Sequence, residues 1–199
     1  MQRLTHLNES PSQTAGPYVH IGCVPNFAGI TGVYDADLGA TMVNGETRGE
    51  RITITGTVFD GTGTPLRDAM IELWQADTHG LYAGRDGADP NFTGWGRVAC
   101  DTETGQWSMH TIRPGAVPFP DGRMMAPHIS IWLVARGINI GLQTRMYFPD
   151  DPRLAQDPWL TRIEHQNRLP TLVARETTPH EFQFDIHLQG PNETIFFDV

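Results

Sequence analysis

From residue 181 to residue 188 the chain alternates without a break: Phe182, Phe184, Ile186 and Leu188 stand between Glu181, Gln183, Asp185 and His187. A period of two puts the apolar side chains on one face and the polar ones on the other, which describes a half-buried β-strand and not a helix. Residues 51–58 repeat the pattern, with Ile52, Ile54 and Val58 on one face and a turn following at Asp60-Gly61-Thr62-Gly63. Further strands are expected over residues 69–75, 106–112, 128–134 and 144–148, with short ones over 172–175 and 194–199. Many short strands with few helices predict a mainly β fold, a single-domain β-sandwich with long loops. Its 199 residues suffice for one sizeable core.

Residues 151–167 interrupt this pattern. Asp151-Pro152 and Asp157-Pro158 each set an N-cap residue before a first-turn proline, so two short helices are expected there, with Trp159 and Ile163 on one apolar face. Residues 77–91, rich in Gly and Asp, read as a long excursion. Residues 1–22 read as an arm, polar at first and then dense in residues that block helix and strand pairing. Residues 23–199 form the sandwich domain.

A formal net charge of −9 and the absence of any Lys or Arg run argue against nucleic acid and against anionic membranes as partners. No apolar stretch is long enough to span a bilayer, and the first residues lack the apolar centre of a secretion signal. Cys23 and Cys100 read as reduced thiols of a cytoplasmic protein. The eight histidines form no paired zinc spacing, and neither a nucleophile elbow nor a phosphate loop is present. One position stands out. On the strand expected over 128–134, His128 and Ser130 point to the same side. A His-x-His there would give one metal ion two imidazoles; this chain gives one imidazole and one hydroxyl.

Gly56-x-Val58-x-Asp60-Gly61, Pro65, Asp68, Ile71-Glu72-Leu73-Trp74-Gln75-Ala76-Asp77 and Gly80-x-Tyr82 follow one another in order. Asp89-Pro90-Asn91-Phe92, Gly96-Arg97, Thr111-Ile112-x-Pro114-Gly115 and Pro127-His128-Ile129 continue the series. In order and spacing this series resembles the intradiol aromatic-ring dioxygenases. Residues 11–22, 135–141 and 193–198 resemble the α chain of the family's two-chain members. The resemblance implies a β-sandwich of the intradiol type and a partner β chain. That β chain binds ferric iron, Fe(III), through two tyrosines and two histidines, hard anionic oxygens with neutral imidazoles suiting a hard cation. It cleaves protocatechuate with O2 between the ring hydroxyls, a step of aromatic catabolism.

Against that pattern this chain has lost its ligands. Pro-Gly-x-Tyr-Pro becomes Pro114-Gly115-Ala116-Val117-Pro118, and His-x-His becomes His128-x-Ser130. The second tyrosine is expected shortly before Asp89, where residues 84–88 contain none; Tyr82 is assigned to the end of the Gly-x-Tyr strand. His128, Ser130 and Val117 thus mark a vestigial centre, with no catalytic residue and no iron expected in this chain alone. What the resemblance assigns to the chain is the rest of the partner's pocket. Thr14, Gly16, Pro17 and Tyr18 match the loop that closes over the β chain's iron. Arg136 matches a further position, where it could balance the carboxylate of protocatechuate or make an interface salt bridge. Two other readings stand beside this one: a free-standing intradiol dioxygenase with its own iron, and a β-sandwich binding module with no enzymatic partner.

Overall fold

The computed structural model describes residues 14–139 and 141–198; the first thirteen residues of the arm expected over 1–22 lie outside them. Two sheets face each other. In the first, β1 (Arg51–Phe59) has antiparallel β4 (Gln106–Ile112) on one side. On the other side β10 (Glu181–Gln183) and β11 (Ile186–His187) run parallel to it, with β9 (Arg175–Thr178) beyond β10. The second sheet is antiparallel throughout, in the order β3 (Trp95–Ala99), β2 (Met70–Trp74), β7 (His128–Val134), β8 (Leu142–Tyr147). A small hairpin joins β5 (Val117–Pro118) to β6 (Met124–Met125).

Alternation explains the core. Ile129, Ile131 and Leu133 of β7 point inward and meet Ile54, Trp107 and Phe182 of the facing sheet in one buried cluster. Burying side chains of this size stabilises the fold by roughly 1.5–3 kcal/mol each. The buried Gln75 clasps the two sheets: its Nε2 donates to the Ile112 carbonyl at 2.9 Å, and its Oε1 accepts from the Thr111 hydroxyl at 2.9 Å. The β-sandwich expected from the alternation is the observed fold.

Several local expectations change. The strand over 181–188 keeps its apolar face but breaks in two. At the break the Asp185 carboxylate accepts the Thr57 N–H at 3.0 Å, replacing a backbone partner. The Phe184 carbonyl there crowds Gly56, where an added Cβ would lie 2.0 Å away. The excursion of residues 151–167 forms 3₁₀ turns and not two α-helices: Leu154–Gln156, Leu160–Arg162 and a third, Gln166–Leu172, past the expected end. Each of the first two is a single tight turn, and Pro170 removes a donor inside the third. Trp159 and Ile163 pack into different clusters and do not share a face.

The short strand placed at 172–175 begins instead at Arg175, and residue 173 makes one bridge to Tyr147. In place of a closing strand, residues 194–198 make a single bridge, Phe197 to Gln143. The strand β3, the β5–β6 hairpin and a helix α1 (Pro17–Cys23) were not anticipated. Gly16 and Pro17, read as breakers, instead start α1: Gly16 is the extended N-cap and Pro17 occupies the first turn, where no N–H is needed. Among the described residues no helix is long and apolar enough to cross a membrane.

Candidate functional site

The outer face of the second sheet carries the alternate residues of β7, so His128, Ser130 and Trp132 face away from the core. His128 sits at the start of the strand and is 2% exposed, because the 3₁₀ excursion covers it. Its Nδ1 lies 2.8 Å from the Ala126 carbonyl, an acceptor only, so Nδ1 carries the proton. Burial above all, then the Arg145 charge, pushes the imidazole pKa down to about 4. The ring is therefore neutral, and Nε2 is a buried acceptor without a partner. Across the strand stands Tyr147, whose ring lies 5.6 Å away and whose hydroxyl is also buried and unpartnered.

Asp157 builds this end. It is fully buried. One carboxylate oxygen accepts the Ala126 N–H at 2.8 Å, and the other accepts those of Trp159 and Leu160 at 2.8 and 3.0 Å. The N-cap read from the sequence thus also ties the excursion to the strand that carries His128.

The Asp-rich excursion of residues 77–91 is equally ordered. The Asp77 carboxylate accepts the N–H groups of His79, Leu81 and Asp89 at 2.8–3.0 Å. Gly80, at φ +78°, lies so close to the Ala116 carbonyl that a Cβ would come within 2.0 Å of it. Backbone therefore packs on backbone, and the loop bearing Tyr82 is pressed against the segment bearing Val117. Tyr82 packs with Ala76, Val117 and Met125, and stacks on Trp74 at 5.7 Å. Trp74 is the register partner of Ser130, and Ser130 of Arg145. The tyrosine that adjoins Val117 and the Trp74–Ser130 pair is therefore Tyr82, while residues 84–88 lie in turns on the way to Asp89. Only the backbone contact at Gly80, invisible in the sequence, discloses this. Burial pushes the Tyr82 phenol up, so it is protonated at neutral pH.

The donors do not fit ferric iron. Val117 offers no ligand, Ser130 offers a neutral hydroxyl, and His128 and Tyr82 are the remaining candidates. Beside them stands a cation: the Arg145 guanidinium lies 4.6 Å from the Trp159 ring and makes no ion pair among the described residues. Nor does any cluster of three His, Cys, Asp or Glu among those residues suit a metal. A fixed positive charge and two weak donors oppose the binding of a trivalent ion.

Thr14, Gly16, Pro17, Tyr18 and Arg136 lie elsewhere. They gather at the far end of β7, past Val134, and the seven-residue strand puts roughly 20 Å between the two ends. The Thr14 hydroxyl accepts the Gly137 N–H at 2.6 Å and lies 3.5 Å from the Ala135 carbonyl. It thereby clamps the turn that displays Arg136, with Gly137 at φ +82° as the turn requires. Arg136 is mostly exposed, 3.6 Å from Asp68. A shallow cavity of about 390 Å³ runs between Thr14, Gly16 and Tyr18 on one side and Val134, Asn139 and Gly141 on the other. A Cβ on Gly16 would meet nothing within 4 Å, and Tyr18 is 86% exposed. The patch is ordered by its own hydrogen bonds, and no other described residue covers it.

The family described as dioxygenase matches residues 24–190. The chain is 43% identical, over 96% of its length and 97% of the relative's, to the protocatechuate 3,4-dioxygenase alpha chain of Pseudomonas putida. It is also 38% identical, over 82% of its length and 75% of the relative's, to the protocatechuate 3,4-dioxygenase beta chain of Burkholderia cepacia. Among solved structures, the dioxygenase domain of a carbohydrate-binding fusion from Streptomyces sp. SirexAA-E superposes with a TM-score of 0.59 at 29% identity, covering 75% of this chain and 86% of that one. With the sandwich and the ordered excursion that carries its motifs, this chain belongs to the intradiol ring-cleavage branch of the dioxygenase family.

Proposed function

We propose that this chain is the α-type, non-iron-binding subunit of a protocatechuate 3,4-dioxygenase. It completes the substrate pocket of an iron-bearing β chain, which opens protocatechuate with O2 between its hydroxyls to 3-carboxy-cis,cis-muconate. The observation that carries this reading is the separation of the two ends of β7. The end that corresponds to a metal centre keeps only His128 and Tyr82 as candidate donors and holds Arg145. The other end presents Thr14, Gly16, Pro17, Tyr18 and Arg136 as an ordered patch that no other described residue covers. A pocket half of this kind has a use only against a second chain. Gly16 leaves room for close approach of a substrate or partner, and Arg136 supplies a planar cation suited to a carboxylate. Both cysteines are unpaired, which fits the cytoplasm as compartment.

Co-expression with the cognate β-type chain tests the reading. The expected result is co-purification and protocatechuate-dependent oxygen uptake by the pair, with no uptake by this chain alone. Turnover by the lone chain would support a free-standing enzyme instead. Failure to associate with the β-type chain would support a binding module.

A further inference from the structure

Nine large apolar residues are conspicuously exposed among the described residues, and seven of them come from one stretch, residues 18–38. Tyr18 and Ile21 lie on α1. Phe27, Ile30, Val33, Tyr34 and Leu38 lie on the loop that follows. This loop is a built structure. The Asp37 carboxylate accepts the N–H groups of Asn26 and Phe27 at 2.8 and 2.9 Å, and the Asn26 side chain donates to the Tyr34 carbonyl at 3.2 Å. The Ile30 N–H reaches the Pro25 carbonyl at 2.8 Å. Its base is fixed to the second sheet: Arg97 donates to the Cys23 carbonyl at 3.1 Å and its N–H bonds the Gly39 carbonyl at 2.9 Å. The result is a closed, pinned knuckle whose apolar side chains point outward around a cleft of about 680 Å³.

We infer that α1 and the knuckle after it, residues 18–38, form a preorganised docking surface for the β-type partner chain, an inference that rests on the function proposed above. Two arguments select that occupant. The first is area. The seven residues are 37–86% exposed; at roughly 200 Å² for a fully exposed side chain of this size they present about 700 Å². A standard interface takes about 800 Å² from each partner, and a patch this large is uncommon on a chain that acts alone. The second is continuity. Tyr18, on α1, belongs to the segment proposed to reach the partner's pocket, and α1 adjoins the knuckle where the His20 ring lies 6.0 Å from that of Phe27. A partner that meets one therefore meets the other. Because the backbone is already tied by side-chain hydrogen bonds, little ordering entropy is lost on docking.

The test is the affinity of the cognate β-type chain, by titration calorimetry and light scattering, for the wild-type chain and a Val33→Asp, Leu38→Asp double variant. Both residues are about half exposed (55% and 48%), so the variant should fold as the wild type does, which circular dichroism would check. Met124→Asp, exposed to 46% but on the β5–β6 hairpin, is the control. The expected result is at least a roughly 100-fold weaker dissociation constant for the double variant, with the control unchanged. An αβ pair that forms with wild-type affinity overturns the inference. That holds too if such pairs then fail to assemble further, since the knuckle would join like copies. A wild-type chain that never binds the β-type chain overturns the functional reading, and this inference with it.

Discussion

Arg136→Ala separates a pocket role from a structural one. The guanidinium is 66% exposed and its nearest carboxylate, Asp68, is 3.6 Å away, too far for a strong hydrogen bond. Such a pair contributes at most about 1 kcal/mol to stability, so the variant should fold and assemble. A charge-assisted contact to a substrate carboxylate is worth about 1.5–3 kcal/mol. At about 1.36 kcal/mol per factor of ten, its loss should lower kcat/KM for protocatechuate roughly 10- to 150-fold. The loss should appear mostly in KM, with iron content intact, since the role proposed for Arg136 is to hold substrate and not metal. Arg136→Lys should fall between, keeping the charge but not the fork. The assay is steady-state oxygen uptake by the αβ enzyme, with protocatechuate and with a catechol lacking the carboxylate. The carboxylate-free substrate should show no difference between wild type and variant. Unchanged protocatechuate kinetics, or an equal loss on both substrates, would refute the proposed contact.

Three further outcomes follow from the other end of β7. Asp157→Ala strips the acceptor from three backbone N–H groups at a fully buried position. It should cost about 3–5 kcal/mol, a drop in Tm of roughly 10–15 °C for a chain of this size; a scan showing less than about 3 °C would contradict the role given to this carboxylate. His128 has its pKa lowered to about 4, against about 6.5 when unfolded, so the unfolded chain binds the proton first as pH falls. Stability should decline between about pH 6.5 and pH 4, by roughly 3 kcal/mol, and urea titrations of His128→Gln should show a shallower decline; parallel pH profiles would exclude the residue as the cause. Val117→Tyr with Ser130→His joins a second phenol and a second imidazole to Tyr82 and His128. Metal analysis and visible spectroscopy should show ferric iron with a phenolate charge-transfer band, whereas a missing tyrosine at 84–88 would leave the protein colourless and iron-free.

The strands were legible where burial is one-sided. The alternation over residues 181–188 and 51–58 is imposed by a core on one face, and it survives the break at Phe184 and Asp185. That break depends on a carbonyl approaching Gly56 from another strand, which no local pattern records. Asp157 was legible as a cap because capping is local, but its third bond, to Ala126, spans 31 residues. Gly16 and Pro17 misled because the same residues that end a helix also start one. Of the site, Val117 and Ser130 were legible as substitutions in motifs. Tyr82 was not, because its nearness to Val117 arises from Gly80 packing on Ala116. The placement of Tyr147 beside His128 likewise follows only from the β7–β8 register.

The most direct test of the division of labour is iron stoichiometry, by elemental analysis of this chain purified alone and of its complex with the cognate β-type chain. The expected result is no iron in the lone chain and one ferric ion per αβ pair. One iron per lone chain would contradict it, since Val117, Ser130 and Arg145 would then stand at a working centre.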